Sequence, residues 1–193
     1  MRQIKTKKIL VAALMCGAFV SPAMAQVSVP VTASVQNTVT VTPTQGIDFG
    51  VIVAVPDGTN NVNAVMGTDG TLVVTADGAG TSAIAIVDDS AAQPAIVTVT
   101  DAADTATLQV TISNVVGPAN NGESFAMDTF TYRRNGELSE QSATVGTPFT
   151  LTYADNAGAG STIAIGARIV GAGANDYTET TPYTGSFDVT VAY

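Results

Sequence analysis

Hydrophobic and polar residues alternate with a period of two along much of this chain. That is the periodicity of a strand whose two faces meet different surroundings. The clearest run places Val27, Val29, Val31, Ala33 and Val35 on one face and Ser28, Pro30, Thr32 and Ser34 on the other. Val39 and Val41 continue the odd-numbered face. Further runs predict strands near residues 47–55, 71–75, 83–87, 96–100, 107–113, 128–134, 148–153, 161–170 and 185–193. Asp57-Gly58, Asp69-Gly70, Asp77-Gly78, Asn121-Gly122 and Asn135-Gly136 separate them. Such pairs supply the positive-φ residues that tight hairpin turns require. A two-residue loop at Asn135-Gly136 would set Arg134 opposite Glu137. No 11-residue window sustains a helical period free of Gly, Pro or Thr clusters. About ten short strands at regular spacing predict an all-β antiparallel sandwich or barrel.

The first 25 residues follow another logic. Residues 1–8 carry Arg2, Lys5, Lys7 and Lys8 and no acid, and residues 9–20 form an apolar run. Ser21-Pro22 breaks that run, and Ala23-Met24-Ala25 supplies the small-x-small pattern of a cleavage site. This is the plan of a secretory signal peptide. The apolar run is shorter than the roughly 20 residues of a membrane-spanning helix. Cys16 lies inside it as an apolar filler. The expected organisation is a signal peptide at 1–25 and one β-domain at 26–193, with no transmembrane segment after cleavage. The chain is expected to be exported to the periplasm, the cell surface or the medium.

Removing that segment changes the composition. Residues 26–193 contain 27 Thr and 23 Val but 4 Leu and no Lys, which suits pleated sheets rather than helices. Their cations are Arg133, Arg134 and Arg168 against sixteen carboxylates, a net charge of -13. So acidic a domain has no basic face for phosphates, so no nucleic acid is expected as a partner. No Cys remains for a disulfide, and stability must come from core burial.

The two ends of the domain carry a resemblance. Val39-Thr40-Val41-Thr42 is followed by Gly46-Ile47-Asp48-Phe49-Gly50-Val51-Ile52, and the chain closes on Tyr183-Thr184-Gly185-Ser186-Phe187-Asp188-Val189-Thr190-Val191-Ala192-Tyr193. This resembles the secreted bacterial family called domain of unknown function 4402. Ala164-Ile165-Gly166-Ala167 sits where such proteins tend to have a Val-Gly-Gly-type strand. The family is itself similar to spore coat protein U domains and chaperone–usher pilins. The resemblance implies an immunoglobulin-like, pilin-like sandwich and a structural role, with Tyr183, Gly185, Phe187, Val189, Val191 and Tyr193 as the C-terminal motif. The Cys pair common among those relatives is missing here. The family implies no catalytic residues.

The residue types narrow the chemistry further. The chain has no His, and residues 26–193 lack Cys and Lys, so no usual base or activator stands beside the many Ser and Thr hydroxyls. Asp88 and Asp89 are neighbours and would face opposite ways on a strand. The chain is therefore expected not to be an enzyme, and to need no cofactor. Asp88, Asp89, Asp101 and Asp104 are the acids that could hold calcium in loops, although no segment has EF-hand spacing. Phe49 and Phe187 alternate with apolar neighbours as core residues do, while Tyr132, Tyr153 and Tyr177 are open to sugar stacking. Pro30 confines the first alternating strand to a sheet edge, because Pro offers no N–H. Val27, Val29, Val31, Ala33 and Val35 thus form an edge strand of their own domain or a strand donated to a neighbouring subunit. The expected function is a non-enzymatic surface or fimbrial subunit that pairs strands with itself or with other surface subunits. The alternative is a secreted module that binds carbohydrate or calcium without polymerising.

Overall fold

The computed structural model describes residues 38–135, 137–172, 177 and 181–193. Among these residues the chain forms thirteen strands and a short 3-10 turn, and it is an all-β sandwich of antiparallel sheets. The strands are β1 (Thr40–Gln45), β2 (Val51–Val55), β3 (Val62–Met66), β4 (Leu72–Ala76), β5 (Ala83–Asp88), β6 (Ala95–Thr100) and β7 (Thr107–Asn120). They continue with β8 (Glu123–Ser124), β9 (Ala126–Arg134), β10 (Gln141–Ala143), β11 (Phe149–Thr152), β12 (Ser161–Gly171) and β13 (Thr184–Ala192).

β12 is the axis of the larger, seven-stranded sheet. Along one edge it pairs first with β6 (Ile163↔Val97) and then with β3 (Ile169↔Ala64). Along the other edge it pairs with β9 (Ile163↔Arg134). β1 flanks β6, β4 flanks β3 and β10 flanks β9. In the second sheet β7 lies between β13 (Val191↔Val110) and β11 (Phe149↔Val110), and β8 turns back on its end. β2 and β5 form a separate two-stranded ribbon.

The alternation of each strand decides what is buried. Val97 and Val99 of β6, Leu108, Val110 and Ile112 of β7, and Ile163 and Ile165 of β12 point inward and are almost wholly buried. Aromatic pairs join the two sheets. Phe130 of β9 meets Phe187 of β13 edge-on, with centroids 5.3 Å apart, and Tyr132 of β9 stacks on Phe149 of β11 at 3.7 Å. An edge-on contact such as Phe130–Phe187 adds about 0.5–1.5 kcal/mol beyond burial. The bidentate pair between Arg168 and Asp128 across β12 and β9 is more than one-third exposed, so it contributes less than about 1 kcal/mol.

Two sequence expectations need correcting. Val62–Met66 gave no alternation and was not expected as a strand. It is β3, buried on both faces except at Val65, and a doubly buried strand has no period-two signal. The Asn135-Gly136 hairpin is also longer than two residues. β9 and β10 pair as Gln141↔Tyr132, so Arg134 and Glu137 are not ladder partners. The Glu137 N–H instead donates to the Arg134 carbonyl at 3.0 Å, and the two side chains form an ion pair inside the turn. The Arg134 guanidinium also donates to the Thr150 carbonyl of β11, in the other sheet, at 2.7 Å. The Asn121-Gly122 turn does take two positive-φ residues, at 48° and 90°, between paired Asn120 and Glu123.

Candidate functional site

One flank of the sandwich is packed differently from its centre. β1 and β13 are each paired on one edge only among the described residues, β1 with β6 and β13 with β7. They lie at the same flank. Beyond β6 the Ala103 N–H donates to the Tyr193 hydroxyl at 3.1 Å, and at the opposite end residues 47–52 share a cleft with residues 181–185. The inward side chains of this flank are Val39 just before β1, Val41 of β1, and Phe187, Val189 and Val191 of β13. All are only half-buried, whereas Val99, Val110, Ile163 and Ile165 in the centre are 0 % exposed. The core therefore opens along a seam between two strand edges, and unpaired edges recruit further strands.

At one end the seam widens into a cleft of about 600 Å³. Both ends of the described chain build it: Ile47 through Ile52 from one, Thr181 through Gly185 from the other. Its interior is apolar, with Ile52, Ala54, Met127 and Ile169, and it is aromatic, with Phe49, Phe125, Tyr177 and Tyr183. Phe125 stacks on Tyr177 at 4.2 Å and meets Tyr183 edge-on at 5.4 Å. The tyrosine hydroxyls are anchored, Tyr177 donating to the Ser124 carbonyl at 3.0 Å and Tyr183 to the Glu123 carboxylate. Asp48 and Asp88 also line the cleft. Gly50 sits between them at φ +65°, where an added Cβ would lie 2.4 Å from the Asp88 carbonyl oxygen. Only glycine takes both that backbone conformation and that approach.

The residues singled out in the sequence take the following places. Tyr183 and Gly185 of the C-terminal motif line the cleft, Phe187, Val189 and Val191 line the seam, and Tyr193 closes its far end. Val27, Val29, Val31, Ala33 and Val35 lie outside the described residues. Tyr132 and Tyr153 are not open to sugars: they are 8 % and 2 % exposed and belong to the core. Asp88 ends β5 and Asp89 follows it, Asp101 and Asp104 follow β6, and no three acids among the described residues gather around a metal position. The cleft itself was missed. Its walls are separated by more than 100 residues, and only glycines beside aromatics in both motif segments hinted at close packing. A smaller hollow of about 370 Å³ adjoins Thr68, Arg133 and Arg134, but Arg133 already donates to the Thr68 carbonyl and Arg134 is held by Glu137.

Loop carboxylates set the response to acid. Asp57 accepts from the backbone N–H groups of Asn60 (2.7 Å), Thr59 (2.9 Å) and Thr81 (2.8 Å), and these bonds hold its carboxyl far below the usual range. The Thr71 and Ser90 amides lower Asp69 and Asp88 in the same sense. A carboxyl whose folded value is depressed stabilises the fold above its unfolded value, near pH 4, and that contribution is lost as pH falls further. Protonating other carboxylates relieves repulsion, an opposing effect. The hydrogen-bonded group protonates last, so the melting temperature is expected to fall steeply below about pH 4. Asp57→Asn should melt lower at pH 7 and show a shallower fall in acid. Melting curves against pH check this, and an unchanged acid slope in the variant removes Asp57 from the account.

The chain matches no family model, no curated protein and no solved structure. Among the described residues no helix is long and apolar enough to cross a membrane.

Proposed function

We propose that this chain is an exported, non-enzymatic structural subunit of a surface or fimbrial assembly, with an immunoglobulin-like, pilin-like domain at residues 26–193. The open seam between β1 and β13 carries the reading. Its inward residues are apolar and half-buried, and both bordering strands have an edge without a partner among the described residues. An extended segment with small apolar residues at every second position would complete the core and pair with one of the two edges. Val27, Val29, Val31, Ala33 and Val35 present that pattern, and Pro30 suits a strand that ends an array. Donated to a neighbouring copy, the segment links subunits head to tail, a contact that propagates rather than closes. The resemblance of both chain ends to the secreted family points the same way.

Deletion of residues 26–35 tests it. The intact chain should elute as polymers and show filaments in negative stain, while the shortened chain should remain folded and monomeric. A shortened chain that unfolds makes the segment a strand of its own domain and overturns the proposal. So does an intact chain that stays monomeric when concentrated.

A further inference from the structure

The aromatic cleft at the end of the seam is too large for the strand just described. The inward residues of that strand are Val and Ala, and single side chains of that size fill a small part of about 600 Å³. The cleft lies within the size range of small-molecule sites, which run from about 300 to 1,000 Å³. Its occupant can be read from charge. No Lys or Arg lines it, but Asp48 and Asp88 do, and Asp48 spends its Oδ1 on the Gly50 N–H at 2.7 Å and Asp88 its Oδ1 on the Ser90 N–H at 2.9 Å. The Ser90 side chain also hydrogen-bonds to the Asp88 carboxylate. Phe49, Tyr177 and Tyr183 line the same cleft as these carboxylates, with Phe125 buried against the two tyrosine rings. Aromatic rings attract cations through their quadrupole, and carboxylates add direct attraction. The sixteen carboxylates of the domain bias the surrounding field the same way. An anion meets repulsion here, and a strongly hydrated metal ion would have to shed water against an apolar floor.

We infer that this cleft binds an organic cation with an apolar surface, of the quaternary-ammonium class. A methylated ammonium spreads its charge over carbon, so it loses little hydration on entering an apolar site and still answers both the rings and the carboxylates. The cleft owes its shape to Gly50, whose φ of +65° lets the loop after β1 pass against the Asp88 carbonyl. The lining residues among those described all belong to one chain.

The test is titration of the full, purified chain with choline, with its neutral isostere 3,3-dimethyl-1-butanol and with methyl glucoside. Calorimetry reads the heat, and tyrosine fluorescence reports from Tyr177 and Tyr183, because the chain has no Trp to mask it. Choline should bind saturably in the millimolar range or tighter, and at least about tenfold better than the isostere. Asp48→Asn with Asp88→Asn keeps the turn acceptors and should weaken choline by about tenfold, while leaving the weak isostere binding unchanged. The wild-type comparison stands even where the double variant folds poorly. Equal binding of choline and its isostere, or no saturable choline binding through the millimolar range, overturns the inference. So does a preference for methyl glucoside, which would make the cleft a sugar site. The deletion of residues 26–35 leaves every lining residue in place, so failure of assembly and failure of cation binding are separate results.

Discussion

Replacing Phe130 by alanine is expected to cost about 3–5 kcal/mol, the largest loss of any single side chain considered. Phe130 is 1 % exposed and meets Phe187 edge-on at 5.3 Å, so it is packed by both sheets at once. Its removal leaves a cavity that neither β9 nor β13 can close, because each is held by its own ladder to β12 or β7. For a domain of this size each kcal/mol moves the melting temperature by roughly 2–4 °C, so a fall of roughly 6–20 °C should appear in thermal melts. Leu138→Ala is the control. Leu138 is fully exposed and should change stability by less than about 0.5 kcal/mol. A Phe130→Ala loss below about 1 kcal/mol would show that the aromatic bridge does not hold the sheets together.

Gly185→Val is expected to be next in size, near 3 kcal/mol. A Cβ at residue 185 would lie 2.5 Å from the Val116 carbonyl oxygen and 2.7 Å from the Pro118 nitrogen. Both are backbone atoms of β7, so no rotamer change relieves the contact. β13 must lift from β7 where their register already shifts, between Thr184 and Ser186. The same lift widens the mouth of the cleft and spoils the border of the seam. The variant should therefore melt lower and lose both choline binding and polymers, whereas Phe130→Ala should lose stability first. Urea unfolding and the two binding assays separate the cases. A Gly185→Val protein with wild-type stability would mean that β13 docks without this close approach.

Sequence patterning revealed most of the strands because most have one wet and one dry face. Val39 just before β1, Val41 of β1, and Phe187, Val189 and Val191 of β13 show the expected inward face. The pattern failed where burial was two-sided, at β3, and it fell short at β7, which continues past residue 113 to Asn120 through Gly117 and Pro118. Gly and Pro there interrupt the alternation that marks a strand. In the fold they sit at the irregular end of the strand, where the Phe125 N–H donates to the Pro118 carbonyl at 2.8 Å. The Arg134–Glu137 attraction was legible, but its geometry was not, because the guanidinium also serves Thr150 of another strand.

By itself the sequence determined the all-β class, the acidic character and the poverty of catalytic side chains. Those are consequences of local alternation and of which residue types are present. The tertiary structure decided which faces were left incomplete. Whether Phe187 and Val191 are fully covered depends on what lies across from β13, and whether Tyr153 or Tyr177 is open depends on which loops close over it. The seam and the cleft arise because antiparallel pairing folds residues 47–52 back against residues 181–185. No pattern within either segment records that meeting, since side-chain periodicity reports the two faces of one strand and not which strand arrives beside it.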